Sequence, residues 1–464
     1  MRKLLSMLMG CFILCMSMGN YYAAEDKGIT EAQFATLLNG IHKVGAKAQI
    51  GTDTELTREK ATCMIVDFLG YSSLVQGNLE TRSFIDVTSS KGQIELISQL
   101  GIMNGVSQEE FQPNGYVTNA AAQAIIQKIS TKLQTASQWK HACYAISSSS
   151  QKDWLQAFDA VSFGWAEVVV ETDGFKVSLS GGDFEVPTGF EKTIDMTKSY
   201  GGETYLMFYL DGSKEVAQKF LNDKVSQTSL IQEIVSLSKG LTKDGVTRSF
   251  DGVTIDFEGF TDSNLKAPYV SFLKELKSEL ASQNKKLNVA VQPTLYYKGY
   301  DYKGIGEVAD HVILMAHDYG ARKLSLSEQQ AGITTTPLTP IDDVYLALLE
   351  AKEAIGDTHK IALQFSFGSL QWQKENGMVL NATGYTPSYD KIAARLQAAG
   401  TKVTFDSYYQ STYATYEQEG MTNIIWYEDA SSIKAKMELA KLLGIANFSY
   451  WRLGIIPNEI KNLI

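Results

Sequence analysis

Residues 250–260 read FDGVTIDFEGF, and the acids at 256 and 258 stand two apart in a run that is otherwise mostly apolar. In an extended chain, side chains two apart share a face. Thr254, Asp256 and Glu258 then point one way, and Val253, Ile255 and Phe257 the other. Along such a strand the two carboxyls are about 6.5 to 7 Å apart. In a poorly solvated cleft such a pair titrates as a unit, with one member keeping its proton near neutral pH. A carboxylic acid held protonated can donate to a leaving oxygen. The competing reading is structural, with both acids capping loop amides at a strand end.

A carboxylate strand of this kind needs a scaffold that buries one face and opens the other. From about residue 139 onward, apolar runs of strand length alternate with amphipathic helical runs. The strand candidates are 141–146, 160–170, 204–210, 252–259, 287–293, 311–319, 360–368 and 445–451. Helical patterns such as APYVSFLKELKSELASQ and IDDVYLALLEAKEAI fall between them. Eight strands with interleaved helices predict an α/β fold, a (β/α)8 TIM barrel with insertions, whose chemistry sits at the C-terminal ends of the strands. An open doubly wound sheet is the structural competitor, because counting strands does not show closure. Residues 28–130 read differently, as a small, mainly helical region of short helices parted by Gly, Thr and Asn turns.

The 464 residues are 44% hydrophobic and carry a formal charge of −10, which fits a packed globular chain and disfavours nucleic acid as a partner. Four cysteines and five scattered histidines show no metal-ligand spacing, so no metal or cofactor is expected. Residues 1–24 combine a basic start, a short apolar run and small residues before acids, the pattern of an export signal. An uncleaved anchor is the alternative. After maturation Cys63 and Cys143 remain, expected as two buried thiols rather than a disulfide, and no later run is long enough to span a membrane.

DGVTIDFE at 251–258 resembles the D-G-x-D-x-D-x-E signature of family 18 glycoside hydrolases, the chitinase and endo-β-N-acetylglucosaminidase group. YDYKGIGEVADHVILMAHDYG (300–320) resembles the family's sixth-strand segment, and WYEDASSIKAKMELAKLLGIANFSYWRLG (426–454) the tail of its bacterial spore-cortex and cell-wall branch. The resemblance covers residues 139–464. It implies Glu258 as general acid/base, Asp256 as the acid that orients the substrate's acetamido group, and Asp251 as a supporting member of the catalytic signature. It also implies substrate-assisted retention, in which the 2-acetamido oxygen rather than an enzyme carboxylate attacks the sugar.

Two positions depart from the family pattern. Thr254 stands where an inner Asp or Asn is usual, and can hydrogen-bond Asp256 without sharing a proton. His317 replaces the usual Tyr ahead of Asp318 and Tyr319, and a neutral imidazole could still donate one hydrogen bond to the acetamido oxygen. By resemblance Trp451 floors the sugar pocket. Trp165, Tyr209, Gln292 and Gln364, near other strand ends, are further candidates for lining the cleft.

Residues 84–129 resemble an S-layer homology motif, with TREK at 57–60 as the start of another, which implies Arg58 as a ligand for an anionic secondary cell-wall polymer. The expectation is a secreted, wall-associated hydrolase of β-1,4 bonds in N-acetylglucosamine polymers, peptidoglycan or chitin. The alternative is a glycan-binding wall protein on a degenerate barrel.

Overall fold

The computed structural model describes residues 28–43, 46–76, 84–172, 174–210, 213–320, 322–334 and 337–464, so the leader expected over 1–24 lies outside the described residues. Eight strands form the centre: β1 (Trp139–Tyr144), β2 (Ala160–Glu171), β3 (Glu203–Leu210), β4 (Gly252–Phe257), β5 (Lys286–Val291), β6 (His311–Leu314), β7 (Ile361–Ser366) and β8 (Asn447–Trp451). Each pairs in parallel with its neighbours, and β1 pairs with both β8 and β2, which closes the barrel. The open-sheet alternative is thereby removed. All eight strands fall on the predicted segments.

Strand β4 shows why the closure works. Val253, Ile255 and Phe257 face outward and are fully buried beneath helices, with the Phe257 ring 5.5 Å from Phe220 and 5.8 Å from Phe272. Thr254 and Asp256 face the barrel interior and are buried as well. At Gly252 a Cβ would stand 2.5 Å from the Lys286 carbonyl and 2.6 Å from the Tyr205 ring, so the glycine of the DG pair lets β4 approach both neighbouring strands.

Between β7 and β8 the chain builds a five-stranded antiparallel sheet from Leu370–Glu375, Met378–Val379, Lys402–Asp406, Ser411–Gln418 and Met421–Tyr427. Sequence reading leaves this stretch unassigned. Its last hairpin turns at Glu419 and Gly420, both at positive φ (53° and 78°), a turn that a lone EG pair barely advertises.

Helices α1 (Glu31–Asn39), α2 (Arg58–Leu69), α3 (Ser72–Val75), α4 (Lys91–Gln99) and α5 (Asn119–Gln134) precede the barrel. Thr30, Thr57 and Thr118 cap α1, α2 and α5, each accepting a backbone N–H through its side chain. The residues that carry the S-layer-like pattern are engaged with one another. Both Asp86 oxygens accept the amides of Phe111 and Gln112. Arg58 donates to the carbonyls of Phe111 (2.8 Å) and Asn104 (2.7 Å) and lies over the Phe111 ring. This region packs on the outer helices of the barrel: Lys132 donates to the Leu442 carbonyl, and Tyr345 bonds Gln99. Cys143 is buried, but Cys63 is only half-buried, and both are free thiols.

Candidate active site

The carboxylate strand delivers its acids to the C-terminal mouth of the barrel. Glu258 lines a cleft of about 450 Å³ together with Gln292, Tyr297, His317, Asp318, Tyr319 and Arg322. Gln292 donates to Glu258 Oε2 (3.2 Å), while its own Oε1 accepts from the Gly259 amide and from Tyr300, so the amide is held in one orientation. Asp256 lies deeper, and its Oδ1 is enclosed without a hydrogen-bond partner among the described residues. Burial, and then the charge of Glu258, push its carboxyl well above the ordinary range. Of the two acids, Asp256 is the one whose burial works most strongly against ionisation.

Thr254 does not reach for Asp256. Its hydroxyl pairs with Ser162 at 2.6 Å, and Ser162 continues to His141 (2.7 Å). His141 bonds Ser449 (2.8 Å), which accepts from Gln364 (3.1 Å). Gln364 Oε1 meets His317 Nε2 at 3.0 Å, and His317 Nδ1 meets Asp318 at 2.9 Å. A hydrogen-bonded chain therefore runs inside the barrel from β4 through β2, β1, β8 and β7 to the loop after β6. None of Ser162, His141 or Ser449 was foreseen, since a Ser or His inside an apolar run looks no different from ordinary polar packing.

His317 differs from the expectation of a neutral donor. With Gln364 presenting its oxygen and Asp318 its carboxylate, both ring nitrogens face acceptors, an arrangement that favours the doubly protonated ring and leaves no spare N–H. Burial opposes that charge, but Asp318, Gln364 and Glu258 together raise its pKa above the usual histidine value. Asp318 in turn is held below its ordinary range by His317 and Arg322, against the effect of its own burial; Arg322 donates to it at 2.6 Å.

Other expected site residues separate by location. Tyr319 lines the cleft and its hydroxyl reaches the Asp343 carbonyl. Gln364 is buried below the cleft rather than in its wall. Trp165 is wholly buried among Tyr144, Phe163 and Phe190, so it is core and not cleft lining; its position on β2 turns the ring away from the interior. Asp251 sits at the N-terminal end of β4, about 20 Å of strand from Glu258. There it accepts from the amide and hydroxyl of Thr204, both at 2.8 Å, a bracing contact that excludes it from the reacting centre. Trp451 is in an adjoining cavity with Phe184, and Tyr209 stacks behind Phe184 at 4.9 Å. Tyr296, Tyr297 and Arg322 complete the cleft and were missed; two adjacent tyrosines just after the β5 end were the available signal.

Among the described residues no group of three or more His, Cys, Asp or Glu could hold a metal ion, and no helix is long and apolar enough to cross a membrane.

The profile of the glycosyl hydrolases family 18 matches residues 113–455. The chain is 26% identical over 255 residues to the cortical fragment-lytic enzyme of Bacillus subtilis (strain 168) and 24% identical over 253 residues to that of Bacillus anthracis, covering 52% of this chain in each case. The matches span 54% of the length of those relatives. Among solved structures, the Bacillus cereus spore cortex-lytic enzyme SleL superposes with a TM-score of 0.57 at 21% identity, over 71% of this chain and 74% of that one. The chitinase-like agglutinin of Robinia pseudoacacia superposes with a TM-score of 0.56 at 19% identity, over 69% and 97%. Likeness at this level of identity concerns the barrel alone, which an enzyme and an agglutinin share.

Proposed function

We propose that this chain, which belongs to glycosyl hydrolase family 18, cleaves β-1,4 bonds after N-acetylglucosamine in a cell-wall polysaccharide, outside the cell, with Glu258 as general acid/base. The observation that carries the reading is the pair itself: Glu258 lining an open cleft, with Asp256 buried beneath it and its carboxyl pushed well above the ordinary range. Peptidoglycan is the favoured polymer because the matched relatives are named for cortical fragments; chitin is the runner-up.

In this reading the orphan Oδ1 of Asp256 accepts the acetamido N–H and turns the acetamido oxygen toward the anomeric carbon. The Asp256 proton is then free to move to Glu258, which donates it to the leaving oxygen. Water opening the resulting oxazolinium gives a proton to Glu258, which passes it back to Asp256, so the cycle closes with retained configuration. The His317 imidazolium, facing this cleft, favours the ionised state of Glu258 after donation.

The test is a glycan whose N-acetylglucosamine residues have been deacetylated. It should resist cleavage while the acetylated parent is cut, with new reducing N-acetylglucosamine ends and a first-formed β-anomer seen by NMR. Equal cleavage of both would overturn the substrate-assisted reading.

A pH prediction follows from His317. Its raised pKa keeps the imidazolium above the usual histidine range and loses it as pH rises through that raised value, giving an alkaline limb in kcat/KM. Gln364→Leu removes one acceptor from the ring, and the limb should move to lower pH by about one unit. An unmoved limb would separate His317 from the profile.

The N-terminal region is read as a packing partner of the barrel. Arg58 has its guanidinium committed to carbonyls of its own domain, so a secondary cell-wall polymer would have to displace them.

A further inference from the structure

Two walls of the catalytic cleft serve a second groove as well. Pro293 and Tyr319 line the cleft and also line a groove of about 360 Å³, so the two are continuous. The other walls of the groove are the chain just after β5, with Leu295 and Lys298, and the helix Ile341–Ile355, with Asp343, Leu346, Glu350 and Glu353. On a helix these positions, three or four apart, share one face. The run from Asp343 to Glu353 is about 15 Å long at about 1.5 Å per residue. Leu349 and Glu353 in turn line a cavity of about 620 Å³ against the N-terminal region, where Asn104, Ser107 and Gln108 stand. The groove therefore runs from the cleft toward that region.

The groove mixes apolar surface with charge. Leu295 is 56% exposed and Leu346 36%, apolar area whose covering would be favourable. Three carboxylates, Asp343, Glu350 and Glu353, stand there against one ammonium, Lys298. Burial and the neighbouring Asp342 push Asp343 up to about 6, so this end of the groove gains most from a cation. The whole chain carries a formal charge of −10, and a second copy would bring like charge to this acidic wall. The complementary occupant is slender, apolar in part and positively charged.

We propose that this groove takes a peptide branch of the glycan whose backbone lies in the cleft, a short peptide with small apolar side chains and a free side-chain ammonium, as uncrosslinked peptidoglycan stems have. The inference rests on the glycosidase reading above and sharpens its substrate to strands that keep their stems. An extended peptide rises about 3.3 to 3.6 Å per residue, so about four or five residues span roughly 13 to 18 Å, the length of the groove. The branch would leave the sugar beside the reacting one, pass Pro293 and Tyr319, lay its methyl groups on Leu295 and Leu346 and bring its ammonium to Glu350 and Glu353. Chitin has no branch to place there.

The test is calorimetric binding, to the full chain carrying Glu258→Gln, of an N-acetylglucosamine/N-acetylmuramic acid tetrasaccharide in three forms: peptide-free, bearing stem peptides with a free side-chain amine, and bearing the same stems with that amine acetylated. The stem-bearing form should bind about fivefold tighter or more than the peptide-free one. Acetylation, or Glu350→Gln together with Glu353→Gln, should cut that preference to about twofold or less and leave the peptide-free affinity unchanged. Both glutamates are exposed, so the double substitution spares the core. A stem preference that is absent in the parent, survives acetylation or survives the double substitution would each overturn the proposal. So would a dimer in sedimentation that Leu346→Asp dissolves, which gives the groove to a second copy. Hydrolysis of peptide-free glycan by the unsubstituted chain is scored separately. A chain that cuts this glycan without preferring stems keeps the catalytic assignment and loses the groove; one that prefers stems yet cuts nothing keeps the groove and loses the assignment.

Discussion

Glu258→Gln should lower hydrolysis of purified cell-wall glycan by about a hundredfold to ten-thousandfold, with KM little changed. Gln keeps the shape and the acceptor oxygen but cannot deliver a proton, and general acid catalysis at a poor leaving group contributes about 10² to 10⁴ in rate. The site predicts that folding survives. Glu258 is only partly buried and its carboxylate accepts from Gln292, an interaction that an amide oxygen at the same position can retain. The measurement is release of reducing ends, with melting temperature as the control. Turnover equal to the parent would remove the acid/base assignment and leave a glycan-binding barrel as the surviving reading, with Thr254 and His317 as marks of a retired site.

The second large effect is at Asp256. Asp256→Asn should reduce kcat by about a hundredfold or more, because the amide can neither hand a proton to Glu258 nor become the anion that steadies a positively charged intermediate. Its stability signature runs the other way. The folded-state pKa of Asp256 is raised, so the folded chain holds a proton that the unfolded chain gives up in the ordinary carboxylate range. Folding stability from this group is therefore complete at low pH and declines as pH rises from the unfolded value toward the raised one. The Asn variant carries no such proton. Its melting temperature should fall less than the parent's between about pH 4 and pH 7. Thermal melts across that range check the sign, and a parent that loses no more than the variant would place the proton elsewhere.

Much of this site was legible because a strand alternates strictly. The spacing of Thr254, Asp256 and Glu258 forced them onto one face, and the apolar alternates forced that face inward. Trp165 shows the limit of the same rule. Its place on β2 near a strand end suggested the cleft, yet a register shift between Phe163 and Ala166 re-aims the local side chains, and the indole ends up in the core. Thr254 shows another. Proximity along the chain favoured Asp256 as its partner, whereas the neighbour across the barrel, Ser162, takes the hydroxyl.

By itself the amino-acid order determined the eight strands, the helices between them and the face that carries the acids, because those follow from periodicities of two and 3.6 residues within each segment. Only the tertiary structure decided that Asp256 is the acid burial raises, that both nitrogens of His317 face acceptors and that Arg452 is left with a donor unmatched among the described residues. Each of these depends on what lies across the barrel, from residues up to 308 positions away in the case of His141 and Ser449. Burial and electrostatic coupling are properties of that closed interior, and no local spacing encodes them.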